Sequence, residues 1–233
     1  MDAHTRPAPL YLFADSQLLF WKQQGKLLLE AVRQSLPGES ATAAYIGASN
    51  GDRREYFEIF DAAMGASGFS DRCMIDSSFA PKQRELLNQA QLILLAGGDV
   101  RRGWSTFEAT GMKDQILARY AQGAVLVGIS AGAVQLGRYA LFDESESPAL
   151  ELTNVFNLVP AIIDVHDEQR DWQRLTHTVR MLEGSTAGLG IPSGGGIVFH
   201  PDGTAEALRH PVDELSWDGT RVVHSLLLPR KNA

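Results

Sequence analysis

A serine enclosed by glycines lies near the middle of the chain, in residues 128–132, which read Gly-Ile-Ser-Ala-Gly. This spacing is typical of a nucleophile elbow, a sharp turn that lifts a serine hydroxyl above a sheet. An apolar run, 124–127, comes directly before it and small residues open a helix directly after it. The hydroxyl of Ser130 would then lie at a positive helix N-terminus, which suits an anionic intermediate. The pattern predicts acyl-transfer chemistry, and a serine that only caps the helix is the alternative.

Such a serine needs a base within hydrogen-bond reach, and the chain offers six histidines. They are His4, His166, His177, His200, His210 and His224. His166 follows a strand predicted at 161–165, so we expect it at a sheet end close to the one that carries Ser130. His177 falls inside a predicted helix and His4 in a polar terminal segment. Position therefore favours His166 as the base, and a structural histidine is the alternative.

A second glycine turn, Gly97-Gly98-Asp99, follows a buried strand predicted at 92–95. We expect that strand to lie next to the one that ends at Ser130. Glycine lets a backbone N–H approach a substrate oxygen closely. The predicted oxyanion hole therefore consists of the amides of Gly98 and Ala131, the latter being the residue after the nucleophile. An ordinary glycine turn is the alternative.

Metal and nucleotide chemistry receive little support from the sequence. It contains no His-Glu-x-x-His motif, no paired cysteines, no phosphate-loop lysine and no glycine fingerprint after the first strand. His166-Asp167-Glu168 is a weak candidate for holding a cation. We expect no metal and no cofactor.

Short apolar runs alternate with amphipathic stretches up to Ser130, the pattern of βα units on a parallel sheet. Strands are predicted at 10–13, 43–47, 73–75, 92–95, 124–129 and 161–165. Helices are predicted at 18–36, 53–64, 81–89, before 122 and at 168–182, and an acidic loop at 141–147. The tail reads as two β-hairpins, 197–199 with 205–208 and 214–217 with 222–228. We predict one α/β domain over 1–233, with 1–8 disordered: a three-layer, flavodoxin-like sandwich around a mostly parallel central sheet.

Composition limits the classes of partner. A formal charge of −7 and a pI near 5.4 argue against a broad nucleic-acid or acidic-membrane surface. No apolar run approaches the roughly 20 residues of a membrane span, and no signal-peptide pattern precedes Leu10. The single cysteine, Cys73, suits a reducing compartment. We expect a cytoplasmic protein that binds neither nucleic acid nor membrane.

Four segments, taken together and in order, resemble the family of serine exopeptidases that contains aspartyl dipeptidase (dipeptidase E) and cyanophycinase. They are 44–49 (Ala-Tyr-Ile-Gly-Ala-Ser), 95–99 (Leu-Ala-Gly-Gly-Asp), 128–133, and 164–166 (Asp-Val-His) with Arg170 and Arg174 behind it. The family's fold is related to class I glutamine amidotransferase domains. The resemblance implies Ser130 as nucleophile, His166 as base and a short aspartyl or isoaspartyl peptide as substrate. Arg170 and Arg174 would then clamp a carboxylate, with Asp99 also in the substrate site, although arginines on a solvated helix face are the alternative.

The sequence departs from this family in two places. Cyanophycinase-like members carry Gly-Ile-Asp-Glu where this chain has Gly-Ile-Pro-Ser at 190–193, so the acid that orients the histidine is missing. Dipeptidase E takes its acid from the loop after the nucleophile helix, where this chain offers Asp143 and Glu144 to complete the triad; an exposed acidic loop is the alternative. The first strand also leads into Ala14-Asp15-Ser16, where relatives tend to carry glycines, so we expect a different substrate pocket.

Two other interpretations stay open at this point. An α/β-hydrolase esterase would also use an elbow serine, but would take its histidine from the C-terminal region, from His200, His210 or His224. A non-catalytic or biosynthetic-accessory member of the family would keep the fold and bind a peptide. A small peptide is the expected partner, and a homodimer is an open alternative to a monomer.

Overall fold

The apolar runs form strands and the amphipathic stretches form helices in the computed structural model, which describes residues 8–38, 40–142 and 151–230. The strands of the described residues are β1 (Leu10–Phe13), β2 (Lys22–Gln23), β3 (Lys26–Leu27), β4 (Thr42–Ile46), β5 (Asp71–Ile75), β6 (Leu92–Leu95), β7 (Val125–Ile129), β8 (Tyr139–Phe142), β9 (Glu151–Asn154), β10 (Ala161–Val165), β11 (Ala187–Ile191), β12 (Gly196–Phe199), β13 (Ala205–Leu208), β14 (Val212–Trp217) and β15 (Val222–Leu227). The α-helices are α1 (Leu28–Ser35), α2 (Arg54–Ala66), α3 (Pro81–Gln89), α4 (Val100–Thr110), α5 (Met112–Ala121), α6 (Ala131–Leu136) and α7 (Gln173–Met181). Short 3₁₀ helices occupy Ser16–Phe20, Ala48–Asn50 and Glu168–Arg170.

The central sheet has seven strands in the order β13-β12-β1-β7-β6-β4-β5. The five strands from β1 to β5 in this order pair in parallel, and β12 and β13 add an antiparallel edge. The loop 97–99 follows β6 and Ser130 follows β7, and these two strands are neighbours as predicted. Because the carboxyl ends of parallel strands meet at one edge, both segments lie at the same end of the sheet.

Alternate residues of the buried strands enter two separate cores. Leu92 and Leu94 of β6 pack with residues of α1 and α2 on one face, whereas Ile93 and Leu95 pack with residues of α4 and α5 on the other. A parallel sheet covered by helices on both faces carries such continuous apolar strands. This arrangement confirms the predicted three-layer α/β fold with its mostly parallel central sheet.

A second sheet of four strands, in the order β10-β11-β14-β15, lies beside the first. The strand that leads to His166, β10, belongs to this second sheet and pairs in parallel with β11. Ile163 and Val165 of β10 join the core that contains α6, while Ile162 packs with Trp172 and Leu175 near α7. Neither β11 nor a second sheet was predicted from the sequence. Both predicted C-terminal hairpins, β12 with β13 and β14 with β15, are present.

The helix predicted at 18–36 is wrong in its first half. After a 3₁₀ helix the chain turns back on itself in the β2–β3 ribbon, and only α1 is α-helical. The turn uses Gln24 (φ 52°) and Gly25 (φ 83°), both with positive φ. Two positive φ values in a two-residue connection are the mark of a tight hairpin turn, and Gln-Gly signals it less clearly than Asn-Gly.

Two further boundaries differ from prediction. The helix predicted at 168–182 becomes a 3₁₀ helix, two left-handed residues (Asp171, φ 49°, and Trp172, φ 54°) and then α7. Burial of the Trp172 indole, whose N–H donates to Asp213 at 2.9 Å, takes precedence over local helix propensity. The loop predicted at 141–147 begins as the end of β8, and residues 143–150 are outside the described ranges. Within those ranges, every helix is too short or too polar to cross a bilayer.

Candidate active site

Ser130 occupies a strained turn between β7 and α6. Its backbone has φ 50° and ψ −109°, a conformation that a residue with a side chain rarely adopts. The Ser130 N–H donates to the carbonyl of Phe13 at 2.9 Å, and its own carbonyl accepts from the N–H of Val134 at 3.1 Å. The turn is therefore held by the β1–β7 ladder on one side and by the first turn of α6 on the other. Strain that the surrounding structure enforces in this way is characteristic of functional positions.

The two glycines of the elbow are required by close backbone packing. A Cβ atom on Gly132 would lie 2.1 Å from the carbonyl oxygen of Leu95, and a Cβ atom on Gly128 would lie 2.6 Å from the carbonyl carbon of Gly132. Strand β7, helix α6 and the end of β6 thus approach more closely than any side chain would allow. The Gly-x-Ser-x-Gly pattern reflects this packing as much as the turn itself.

The structure brings Ser130 and His166 together. The distance from Ser130 Oγ to His166 Nε2 is 2.9 Å, a hydrogen bond between the predicted nucleophile and the predicted base. His166 has a left-handed backbone (φ 46°), and its N–H donates to the carbonyl of Ile191 at 2.9 Å. It therefore approaches the serine from the second sheet, whereas Ser130 comes from the central one. His166 thus emerges at a sheet end close to the one that carries Ser130, as predicted, and the two ends belong to different sheets.

The glycine turn after β6 lies against the serine. A Cβ atom on Gly97 would be 3.2 Å from Ser130 Cβ, and one on Gly98 (φ 136°) would lie 2.3 Å from the carbonyl oxygen of Ser49. Among residues 8–38, 40–142 and 151–230, no acceptor is hydrogen bonded to the amide of Gly98 or to that of Ala131. Two uncommitted backbone donors beside a serine hydroxyl are what an oxyanion hole needs.

A buried glutamine that was not predicted from the sequence supports the glycine turn after β6. Gln135 of α6 is fully buried, and its Nε2 donates to Ser49 Oγ at 3.2 Å and to the Val100 carbonyl at 3.0 Å. The Ser49 carbonyl in turn accepts from the N–H of Asp99 at 2.8 Å. Gln135 therefore ties the nucleophile helix to the loop that carries Gly98. A polar residue inside the otherwise apolar run 131–136 was the sequence signal for it.

The predicted substrate-binding residues make contacts within the chain. Asp99 caps α4, with its Oδ1 accepting from the N–H of Arg102 at 2.7 Å. Arg174 pairs with the buried carboxylate of Asp164 at 2.5 Å, and the exposed Arg170 lies 4.0 Å from Asp167. None of these three side chains lines the cavity beside Ser130. A substrate role for Asp99, Arg170 and Arg174 stays a prediction, and their observed contacts do not favour it.

The acid that would orient the histidine has a new candidate. Asp143 and Glu144, predicted from the loop after α6, lie outside the described residues. Ser193, which stands where cyanophycinase-like relatives carry an acid, donates its backbone N–H to Glu168 Oε1 at 3.2 Å. The other oxygen, Glu168 Oε2, is shielded from solvent and has no hydrogen-bond partner among the described residues. From the sequence, Glu168 was predicted only as part of a weak cation site. The described residues contain no cluster of three or more metal-binding side chains.

The charge state of Glu168 follows from competing effects. Burial opposes ionisation of its carboxyl group. Hydrogen bonds from its own backbone N–H and from Ser193, together with the charge of a protonated His166, outweigh this and lower the pKa of Glu168 below its usual range. Glu168 is therefore an ionised carboxylate at neutral pH, two residues from the histidine and close enough to interact with its charge.

A cavity of about 290 Å³ opens beside Ser130 and His166. Its remaining lining is Ala14, Asp15, Ser16, Leu19, Tyr45, Asn50, Tyr56, Ile59, Phe60, Leu94, Ala96, Gly97, Gly98 and Ile129. The other histidines of the described residues lie outside this lining: His177, His200, His210 and His224. His200 instead faces Glu206, with 3.8 Å between its Nε2 and a carboxylate oxygen. The geometry thus selects His166 from the described histidines.

Comparison with known proteins shows which family and which folds the chain is similar to. The sequence model of Peptidase family S51 matches residues 13–207. A peptidase from an acI-B1 Actinobacterium has a similar crystal structure, with a TM-score of 0.70, 16% sequence identity, and coverage of 98% of this chain and 97% of the other. A peptidase E candidate from Listeria monocytogenes EGD-e is similar with a TM-score of 0.60 and 16% identity, over 95% of this chain and 100% of the other. A search of curated proteins found no match.

The two similar structures show a shared fold, and the family match covers most of the chain, including the elbow and the histidine. An α/β-hydrolase esterase is not favoured by these findings. The chain belongs to peptidase family S51 and is a serine-type peptidase.

Proposed function

We propose that the chain hydrolyses an amide bond of a short peptide through an acyl-enzyme on Ser130, with His166 as general base and acid. The observation that carries this proposal is the 2.9 Å hydrogen bond between Ser130 Oγ and His166 Nε2 at a strained elbow. An isolated serine hydroxyl is a weak nucleophile at neutral pH, and a neutral imidazole in hydrogen-bond contact removes its proton as it attacks.

The reaction proceeds in two acyl-transfer steps. Ser130 Oγ attacks the carbonyl carbon while His166 Nε2 takes the hydroxyl proton, and the amides of Gly98 and Ala131 donate to the resulting oxyanion. His166 then passes the proton to the leaving amine, and the acyl group stays on Ser130 as an ester. A water molecule, deprotonated by His166, attacks this ester and releases the acid. Loss of one oxyanion donor costs about 10²- to 10³-fold in kcat in a comparable site.

Glu168 is the proposed third member of this machinery. Its carboxylate is ionised, and its shielded Oε2 is without a partner among the described residues. A carboxylate beside the imidazole stabilises the imidazolium that forms as Ser130 attacks. Its proposed role is to position His166 and support its charge, in place of the acid missing at 193.

The aspartyl or isoaspartyl substrate implied by the resemblance stays a prediction. Family membership supports peptidase activity. Only the resemblance supports an acidic residue next to the cleaved bond. Arg174 is already paired with Asp164, and the described lining of the cavity contains neither lysine nor arginine.

A fluorophosphonate probe tests the nucleophile directly. Intact-mass spectrometry of the wild type should show one stoichiometric adduct, because an activated serine displaces fluoride from phosphorus. Ser130→Ala should show none, and His166→Ala should label at least about 100-fold more slowly, within the range expected for loss of a general base.

His200→Ala is the matched control, since His200 has a carboxylate neighbour but lies outside the cavity. It should label like the wild type. Absence of any adduct on folded wild-type protein would refute the proposal, and so would an adduct that survives Ser130→Ala.

A further inference from the structure

We infer that the cavity beside Ser130 receives an apolar, preferably aromatic, side chain of the peptide, from a residue adjoining the cleaved bond. This inference rests on the proposed function, because it assigns a substrate class to the same site. One end of the cavity is formed by Gly97, Gly98 and Ser130, where the reacting carbonyl would lie. A side chain on the neighbouring Cα atom would then extend into the rest of the cavity.

Much of the cavity lining is apolar and aromatic. Phe60 and Tyr45 are almost fully buried and form an aromatic contact, with ring centroids 5.4 Å apart. Leu19 and Leu94 are also buried and belong to the same lining. Aromatic rings at such a distance present edges and faces to which a further ring can pack. A preformed apolar cleft with few polar groups is the usual form of a site for an apolar ligand group.

Helix α2 gives the cavity an exposed apolar rim. Tyr56, Ile59 and Phe60 are spaced at i, i+3 and i+4, so they share one face of the helix, and this face borders the cavity. Phe60 is buried, whereas Tyr56 is 43% exposed and Ile59 is 40% exposed. Large apolar side chains that stay exposed around a cleft mark a surface that a ligand covers. The peptide's side chain would cover these two.

The charges of the lining disfavour an acidic side chain. The described lining contains one carboxylate, that of Asp15, and it already accepts from the N–H groups of Gln17 at 2.8 Å and Gly194 at 2.6 Å. Burial, followed by the charges of Asp52 and Glu55 among other effects, raises the pKa of Tyr45 to about 12, so its phenol is neutral at neutral pH. An aspartate side chain here would lose water, the described lining would offer it neither a lysine nor an arginine, and the Asp15 carboxylate would repel it.

The size of the cavity suits one side chain. At about 290 Å³ it lies near the lower end of ligand clefts, which run from about 300 Å³ upward. A single extra methylene in an apolar pocket changes kcat/KM by about 10- to 200-fold. We therefore expect a phenylalanyl peptide to exceed its alanyl analogue by about 100-fold and its aspartyl analogue by more.

The test compares fluorophosphonates that carry a benzyl, isobutyl, methyl or carboxymethyl group next to phosphorus, with the rate of Ser130 adduct formation as the readout. A parallel panel of dipeptides with Phe, Leu, Ala, Asp or Lys on either side of the amide bond gives kcat/KM. The expected order is benzyl, isobutyl, methyl, carboxymethyl. Labelling of Ser130 at equal rates, or fastest with the carboxymethyl probe, overturns the inference and leaves the proposed function intact. Failure of every probe to label overturns both.

Ile59→Arg sharpens this test, because the exposed position tolerates a charge. It should lower the benzyl rate and raise the carboxymethyl rate, shifting their ratio by about tenfold or more toward the acidic probe. Leu226→Arg is the matched control: Leu226 is 55% exposed on β15 and outside the cavity. It should leave the ratio unchanged. An unchanged ratio in Ile59→Arg would contradict the assignment of α2 to the pocket.

Discussion

The serine side and the histidine side of the site are held by different means. Around Ser130, the packing is between backbones: Gly132 lies against the carbonyl of Leu95, and Gly98 against that of Ser49. Around His166, the corresponding glycines of β11 lie against side chains: Gly190 against the Trp172 ring and Gly188 against Leu175. Backbone atoms of a buried sheet have little room to move, whereas side chains repack at moderate cost. The nucleophile therefore has one allowed position, and the base sits on a support that adjusts.

This difference fits the two roles. The nucleophile and the oxyanion donors must meet one carbonyl carbon and one oxygen, so their relative placement is set by the shared sheet formed by β6 and β7. The histidine must reach first the serine hydroxyl, then the leaving amine and then water. A base on a separate sheet, half open to solvent, suits several successive partners.

Gly132→Ala should have the largest effect on stability and activity, because it disrupts the backbone packing around Ser130. The new Cβ atom would meet the Leu95 carbonyl oxygen at 2.1 Å, and neither backbone segment can withdraw. We expect at least about 3 kcal/mol of lost unfolding free energy and no fluorophosphonate adduct. Urea unfolding measures the first and intact mass the second. Gly65→Ala on α2 is the control: its Cβ would make an ordinary 3.6 Å contact with the guanidinium of Arg72, so stability should rise by up to about 1 kcal/mol. Equal stability of the two variants would refute the contrast.

Gly190→Ala disrupts the packing that supports His166, and its effect should be smaller than that of Gly132→Ala. Its Cβ atom would approach the Trp172 ring at 2.6 Å, and the ring can shift together with the start of α7. We expect a loss of about 1 to 3 kcal/mol in unfolding free energy and a decrease in kcat/KM of about tenfold. Near-UV circular dichroism should report the movement of the indole. A larger stability loss than that of Gly132→Ala would reverse the proposed order of the two sides.

Glu168→Gln should have a smaller effect that depends on pH. The pKa of Glu168 is lowered, so its carboxylate is ionised at neutral pH, and its negative charge stabilises a positive charge on the neighbouring imidazole. Removal of that charge should lower kcat about tenfold and move the acidic limb of the kcat/KM profile to lower pH. Glu168→Asp should recover part of the rate. Asp171→Asn is the control, because Asp171 is an exposed carboxylate three residues after Glu168. It should leave the acidic limb of the kcat/KM profile in place. A uniform loss of rate with no shift of the limb would mean that Glu168 is only structural.

The sequence predicted the serine side of the molecule better than the histidine side, for a physical reason. Strands β4, β6 and β7 are short apolar runs buried on both faces, and the glycines at 98, 128 and 132 are needed where backbones touch. Both signals are local in sequence. The turn at Ser130 and its neighbour at Gly98 could therefore be read directly.

The second sheet depends on long-range pairing that leaves little local trace. Strand β11, with two glycines in five residues, lacks the β-branched pattern of a strand because its glycines make room for Trp172 and for Leu175 of α7. Glu168 was equally hidden, since its hydrogen bond to the Ser193 amide joins segments 25 positions apart. The missing acid at 193 was visible in the sequence, and its candidate replacement was not.

Cys73 should give the smallest effect and tests whether nucleophile activation is confined to the site. It lies on β5, at the far edge of the central sheet, and burial together with the charge of Asp71 raises its pKa to about 11. At pH 8 the thiolate is then a minor species, so iodoacetamide should label the native protein far more slowly than the urea-unfolded chain, whose thiol titrates near 8.5. Cys73→Ser should leave kcat/KM within about twofold. Rapid labelling of the native thiol, or loss of activity on its modification, would show that reactive side chains extend beyond the edge where Ser130 and His166 meet.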